Sequence, residues 1–387
     1  MSHKKMVLTA GFAMFSMFFG SGNLVFPLLL GQQTISAYPF SIVGLIVTAV
    51  IVPFLGLLGM ILYDGSTKKY FEKLGKVPSF LLIAMMLSLM GPFGVVPRCI
   101  TVAYGSVSVL FPWLPYYVFS FFFCVSIAAL IWQANKVIDL IGLLLTPFKL
   151  GGLMLLLLVG LWFGEPTAAT DLSAKAAFTS GLTLGYQTMD LMAAFFFSST
   201  TVIYLRNNLG PDVGRMTLLK LSIAASLIGA SILSFAYIGF VTLGAKYSAF
   251  LTTAQPEAML AVVAQHTLGD YALPIISLTM AVACLATAVI LSTLFVDFLR
   301  DDVLRQKITR PQSIFVSLGT TFGVSLLGFA KICELLGTVL EVAYPALIAL
   351  AITNICNKLF DMRQGKFPFW ITLGISGLMK VCRVFVL

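Results

Sequence analysis

Charged side chains are scarce in this 387-residue chain: Asp, Glu, Lys and Arg together make up 10% of it. A soluble domain carries about 25%, so a solvated globule is excluded. Histidine is scarcer still, with His3 at the terminus and His266 in a connection. No HExxH, GxSxG or phosphate-loop motif falls at membrane depth, which argues against an embedded enzyme. The six cysteines (Cys99, Cys124, Cys284, Cys333, Cys356, Cys382) form no CxxC pair or Cys/His cluster. That spacing indicates neither a metal nor a disulfide framework, and small buried hydrophobes are their expected role. No Ser/Gly-rich linker or charge block divides the chain, so residues 1–387 read as one domain.

Apolar residues, in contrast, make up 59% of the sequence. Stretches of about 20 recur along its whole length, the signature of an all-α polytopic membrane protein. Spans are expected at 7–31, 38–62, 78–110, 115–133, 138–163, 179–204, 216–244, 271–298, 311–329, 332–356 and 367–387, about eleven in all. The first follows Lys4 and Lys5, runs too long for a signal peptide and lacks a small-residue cleavage site, so it reads as a retained span. The net charge of +9 is topological. With the N-terminus cytoplasmic, alternate connections hold Lys4, Lys5, Lys68, Lys69, Lys73, Lys76, Lys136, Arg206, Arg215, Lys220, Arg300, Arg305, Lys307, Arg310, Lys358, Arg363 and Lys366. The opposite connections hold Lys175, Lys246 and Lys331. This is the positive-inside pattern of a multi-pass plasma (inner) membrane protein, and it removes any need for a nucleic-acid partner. One outer connection, Lys246 to Tyr271, contains a helix-start signal at Pro256-Glu257 and an apolar face too short to span, so a re-entrant or surface helix is expected there.

The first span contains its own contradiction. Between Phe12 and Pro27 stands Gly20-Ser21-Gly22-Asn23, poor helix material at mid-membrane. Unpaired backbone at that depth persists only inside protein or beside a polar cavity. Freed groups here, with the donor and acceptor of Asn23, would offer a positive helix end to a carboxylate and carbonyls to an amine or a sodium ion. Close packing through small residues is the other reading. The sixth span repeats the oddity in Gly181-Leu-Thr-Leu-Gly185-Tyr-Gln-Thr-Met-Asp190. Interruptions at corresponding places in two oppositely oriented halves are the mark of an inverted repeat and of a transporter's binding site.

Other polar residues in the spans are candidates. Asp190 suits a substrate ammonium, a proton relay, or a cap on the half-helix after it, the last being favoured because Asp is a strong N-cap. Tyr186, Gln187 and Thr188 are then expected to line the gap. Arg98, between Pro97 and Cys99, must face the interior; it serves as a fork on local carbonyls freed by Pro92 and Pro97, or as a gate or carboxylate contact. Thr287 either returns its hydroxyl to the i−4 carbonyl or joins a cation site. Glu334 and Glu341 share a helix face and are expected to look toward a wet path, with Glu334 near the outer surface.

Three segments resemble the branched-chain amino acid:cation symporter family. Phe15-Ser-Met-Phe-Phe-Gly-Ser-Gly-Asn-Leu-Val-Phe-Pro27 is similar to its F-x-G-[AS]-G-N-[LI]-[IV]-F-P opening, with Leu28 where a second proline is usual. Gly91-Pro-Phe-Gly-Val-Val-Pro97-Arg98 is similar to its G-P-x-x-x-x-P-R element, and Gly185-Tyr-Gln-Thr-Met-Asp190 to its G-Y-x-T-M-D element. The resemblance implies a LeuT-like 5+5 inverted repeat with discontinuous first and sixth helices: repeat one at about 7–163, repeat two at about 179–356, and an extra span at about 367–387. It implies substrate contacts at Gly20, Ser21, Gly22, Asn23, Tyr186, Gln187, Thr188, Met189 and Asp190. It implies a sodium ion near Ser16, Phe19, Ala283 and Thr287, with Ala286 where related sites often have a second hydroxyl. Arg98 and Glu341 fall to gating or structural roles. Members commonly carry a twelfth span, whereas the sequence here runs to Leu387, at the end of the eleventh.

The expectation is therefore a transporter, not an enzyme. It has no cofactor beyond the coupling ion, and its partners are an amino acid, a cation and the bilayer. Leucine, isoleucine and valine are the expected substrates. A proton-coupled carrier or exchanger of another apolar amino acid, and a non-transporting receptor of the same fold, are the alternatives. A channel would need a line of polar groups along a pore, and the intramembrane charges here are few and scattered.

Overall fold

The computed structural model describes residues 3–132, 146–209, 214–269, 273–360 and 365–386. Lys136, Arg363 and the expected span residues 133, 138–145, 271–272 and 387 lie outside the described residues. Among the described residues every regular element is helical. The longer helices are α1 (His3–Phe18), α2 (Ser21–Thr34), α3 (Tyr38–Ile46), α4 (Val52–Leu62), α5 (Lys76–Met90), α6 (Val95–Leu110), α7 (Tyr116–Trp132) and α8 (Thr146–Phe163). They continue as α9 (Ala174–Gln187), α10 (Asp190–Leu209), α11 (Arg215–Lys246), α12 (Met259–Leu268), α13 (Leu273–Phe298), α14 (Arg310–Ser325), α15 (Phe329–Leu359) and α16 (Phe367–Val386).

Among the described residues five helical stretches are long and apolar enough to cross a membrane: Ser21–Leu62, Lys76–Leu110, Met216–Lys246, Leu273–Val303 and Phe329–Leu359. The pair α9 and α10, bent by 42°, makes a sixth. Large apolar side chains such as Phe122, Trp132, Trp162 and Phe315 point outward, while Asn23, Arg98 and Asp190 are buried. That inversion of a soluble protein is what a hydrocarbon solvent selects.

Local sequence explains most helix ends. α1 stops at Phe18 and α2 starts at Ser21, with Gly20 extended between them. The expected connection after the first span is a tight corner at Ile35, whose φ is 45°. The third span is also in two pieces, α5 and α6, parted at Gly91-Pro92-Phe93-Gly94. Pro92 can donate no backbone bond, and Pro97 falls in the first turn of α6, where that loss is harmless. The expected span over 78–110 is thus present as two helices, broken beside Pro92, one of the two prolines expected to free local carbonyls.

Two reciprocal glycine contacts set the packing. A β-carbon on Gly44 would lie 2.2 Å from the Phe178 carbonyl oxygen, and one on Gly181 would lie 2.1 Å from that of Ser41. Gly31 and Gly244 are related in the same way, at 1.9 Å from Val241 O and 2.0 Å from Leu28 O. Small residues allow such approach where lipid supplies no hydrophobic drive. The second span is therefore seated on the sixth, and the first on the seventh. Exchanging the first five spans for the next five maps one of these contacts onto the other. Gly181 and Gly185, expected to open the sixth span, instead close it against the second; Gly185 faces the Thr48 hydroxyl.

The outer connection forms a helix, as expected: α12 buries Met259, Leu260, Ala261, Val263 and Ala264. Glu257, in the turn before it, is pressed against Gly105 of α6, and burial pushes its carboxyl above the usual range. One expectation at the tenth span is corrected. Glu341 faces Lys380 of α16 at 2.6 Å, both side chains about a third exposed, so it fastens the last helix and does not line a path. Glu334 is exposed. Cys99, Cys124 and Cys284 are buried as expected, but Cys382 is exposed.

Candidate functional site

The first and sixth spans meet at their breaks. Gly20 donates its amide to the Asn23 side-chain oxygen at 3.2 Å, which satisfies one donor at the start of α2. Ser21, Gly22 and Asn23 are helical, in the first turn of α2, so the opening is narrower than the sequence implied. Gly22 allows close approach: a β-carbon there would lie 3.4 Å from the Thr188 Cα and 3.3 Å from the Phe26 ring.

With its oxygen committed to Gly20, the Asn23 amide turns its nitrogen to the sixth span. Nδ2 donates to both oxygens of Asp190 at 3.0 Å and also contacts the Tyr237 hydroxyl. Tyr237, in α11, donates to Asp190 Oδ2 at 2.5 Å. A buried carboxylate costs several kcal/mol unless donors surround it; here two other spans supply them. The favoured cap reading of Asp190 is corrected accordingly. Asp190 is the first residue of α10, and its carboxylate accepts from Asn23 and Tyr237 across the bundle. Tyr237 was missed in the sequence. Its signal was a hydroxyl in the middle of an apolar span, which needs a partner.

Met189 carries the backbone irregularity between α9 and α10, with φ at 61°. For a long side chain that conformation costs on the order of 1–3 kcal/mol and persists only where the surroundings hold it. Arg98 is one holder. It is fully buried, and its Nη1 donates to the Gln187 carbonyl oxygen at 2.9 Å. Nη2 donates to Met189 Sδ at 3.3 Å, and the guanidinium lies 5.3 Å from the Phe26 ring centroid. The expected bond to carbonyls freed by Pro92 and Pro97 is therefore corrected: Arg98 serves the end of α9, one span over.

A small cavity lies between the breaks. Gly20, Ser21, Gly22, Asn23, Thr188, Met189 and Asp190 line it, with Met90, Val95, Thr287 and Leu291 from the third and eighth spans. Its volume is about 20 Å³, room for about one water. Tyr186 and Gln187 are not among its lining. Tyr186 packs on Tyr344 with ring centroids 4.9 Å apart, and Gln187 Nε2 donates to the Cys333 carbonyl at 3.2 Å. Both sit in the last turn of α9, facing the tenth span. A wider cleft of about 470 Å³ opens near Lys68, Lys76, Asp297 and Asp301. Its inner wall includes Leu87 and Leu294, one turn from Met90 and Leu291 of the small cavity.

The expected ion residues are partly gathered. A β-carbon on Gly20 would touch Thr287 Cγ2 at 3.0 Å, so Thr287 stands at the first break. Its hydroxyl donates to the Ala283 carbonyl at 3.2 Å. Ser16 and Phe19 flank the end of α1. These residues offer oxygen only, as carbonyls and hydroxyls, a donor set that suits a hard monovalent cation.

Interrupted helices packed around a polar pocket define a class of carriers, and the fold agrees. The inward-facing conformation of Mhp1 matches with a TM-score of 0.64 over 97% of this chain and 84% of that one, at 16% identity. MhsT in complex with L-phenylalanine matches with a TM-score of 0.62 over 98% of both chains, at 17% identity. The architecture is therefore the LeuT-type transporter fold. Within that class, residues 3–386 match the family of branched-chain amino acid transport proteins, and the chain belongs to that family. The branched-chain amino acid transport system 3 carrier protein of Pseudomonas aeruginosa is 29% identical over 361 residues, covering 92% of this chain and 81% of that one. The branched-chain amino acid permease BrnQ of Corynebacterium glutamicum is 28% identical over 375 residues, covering 96% and 86%. Its namesake in Escherichia coli K12 is 27% identical over 359 residues, covering 90% and 80%. These relatives are permeases, not enzymes.

Proposed function

We propose that this protein carries leucine, isoleucine or valine across the plasma membrane together with a cation, by alternating access. Family membership supports the solute class. The observation that carries the mechanism is the joining of two helix breaks through Asn23 and Asp190, since such breaks are where carriers of this kind bind. Gly20 to Asn23 and Thr188 to Asp190 hold the solute, whose charged ends replace the backbone partners missing at each break. Its side chain lies against the apolar residues Met90, Val95, Ala193, Phe197 and Leu291 of the cavity wall. Branched-chain side chains differ by one methylene, worth about 1–3 kcal/mol, so selectivity among them is broad. A cavity of about 20 Å³ admits no leucine, so the described conformation is closed around the site. Release proceeds toward the wider cleft past Leu87 and Leu294. The cytoplasmic N-terminus follows from the charge pattern of the connections.

Sodium is the proposed coupling ion, near Ser16, Phe19, Ala283 and Thr287. A proton is the second reading, favoured by a carboxylate, Asp190, that is almost wholly removed from water beside the Tyr237 hydroxyl. Labelled leucine uptake into proteoliposomes tests both readings. Accumulation under an inward sodium gradient supports the first, and accumulation under a proton gradient without sodium supports the second. No accumulation under either sinks the symport proposal.

A further inference from the structure

Arg98 is bonded less fully than its position demands. It is the largest wholly buried side chain in the molecule, and a guanidinium carries five N–H donors and one full charge. One strong acceptor meets it, the Gln187 carbonyl oxygen on Nη1. Nη2 donates to the thioether of Met189, the Cys333 thiol lies close by, both weak sulfur acceptors, and Nε has no partner. Among the described residues no carboxylate lies within ion-pair distance of it. Its place in the fold sharpens the deficit. Arg98 stands in the first turn of α6, the end of a helix that carries partial positive charge and disfavours a cation.

The pattern of the deficit has a shape. Nη1 is anchored, so Nε and Nη2 form one open edge of the guanidinium. Two parallel N–H groups along an edge are the fork that receives a carboxylate through both its oxygens. A residue kept only to brace the end of α9 would have its donors filled by backbone carbonyls, as the Gln187 bond does for one of them.

The open edge is next to the candidate site. Met189, which covers Nη2, lines the small cavity, as does Val95, one turn before Arg98. Methionine is unbranched and readily changes rotamer, so its thioether is a movable cover. We propose that Arg98 is the contact for the carboxylate of the amino-acid substrate, exposed when the Met189 side chain swings aside. This rests on the transport reading above. The solute then brings a carboxylate into ion-pair distance, closer than Asp190, whose charge Arg98 feels from farther off, and its amide or ester forms, which carry no anion, are rejected.

Competition between leucine and leucinamide tests the assignment. Purified protein in proteoliposomes takes up labelled leucine while each compound is titrated as inhibitor, and thermal-shift titrations in detergent measure binding without transport. Wild type is expected to prefer leucine by about 100-fold, the scale of hydrogen bonds to a charged group. Arg98→Gln is expected to weaken leucine about 10- to 100-fold and leave leucinamide unchanged, so the preference collapses. Arg98→Lys, which keeps the charge but not the fork, falls between. Equal binding of the two compounds by wild type overturns the proposal, as does an Arg98→Gln protein that weakens both in parallel. If Arg98→Gln is not recovered folded, Arg98→Lys and wild type decide, and an unchanged preference in Arg98→Lys counts against it. Wild-type accumulation with an unaltered preference in the variants removes the Arg98 contact and leaves the transport reading intact. Absent accumulation with a collapsing preference does the reverse.

Discussion

Asp190 is held by side chains from two other spans, and that arrangement can be dissected. Tyr237→Phe removes one hydroxyl from the buried group and nothing else, at an expected cost of about 1.5–3 kcal/mol for a bond to a charged acceptor. The thermal midpoint of the purified protein falls accordingly. The same loss in an Asp190→Asn background is smaller, because the charge is gone; equal losses in both backgrounds would show that the pair does not couple. Gly22 tests the cavity itself. Leucine at this position fills the space between Asn23 and Thr188, so Gly22→Leu abolishes leucine binding, and retained uptake would return the glycine to a packing role. Thr287→Ala addresses the ion. Its expected effect is a raised sodium requirement for uptake with leucine affinity at saturating sodium little changed, and an unaltered sodium response removes Thr287 from the ion site.

At the scale of elements, breaks rather than helices were the legible part. Glycine and asparagine in the first span, and the polar run before Asp190 in the sixth, could be read because hydrocarbon tolerates such residues only for cause. Which residues of those runs face the cavity could not be read. Gly181 and Gly185 look like loosening residues in sequence, yet they are the contact face of α9 against α3 and the turn after it. Tyr186 and Gln187 are the last two residues of α9, directly before the break, and helical phase carries them to the tenth span. Glu341 escaped for another reason: its partner Lys380 is 39 residues on, and no periodicity within one span reveals a contact with another. The third break, at Gly91 to Gly94, was legible from Pro92, but the carbonyl that Arg98 bonds is at Gln187 and not at this break. The glycine faces make a prediction. Gly181→Leu forces apart α3 and α9, and the resulting overpacking of about 3 kcal/mol or more lowers the thermal midpoint and the folded yield. Gly319→Ala, where a β-carbon meets nothing within 4 Å, leaves both unchanged.

Across the whole molecule, the reciprocal glycine contacts divide the helices into two bodies. The first, second, sixth and seventh spans are seated on one another, while the third packs against the eighth. Asn23, Asp190 and Tyr237 all belong to the first body, so their bonds are internal to it. Arg98 and Thr287 belong to the second, and each touches the first across the small cavity. A disulfide can pin that seam. The β-carbon of a residue at position 20 would lie 3.7 Å from Thr287 Cβ, close to the mean separation in a disulfide. The double variant Gly20→Cys, Thr287→Cys is expected to cross-link on oxidation and stop leucine uptake, which reductant restores to the level before oxidation. Uptake unaffected by complete cross-linking would mean that the two bodies do not part there. The cavity is therefore less a hole in one body than the joint line between two, and whatever fills it works as a rivet. On the proposed reading, solute and ion seated along the same joint need no messenger between them: each makes the other's binding easier by holding the plates together, and a joint with one rivet missing stays loose.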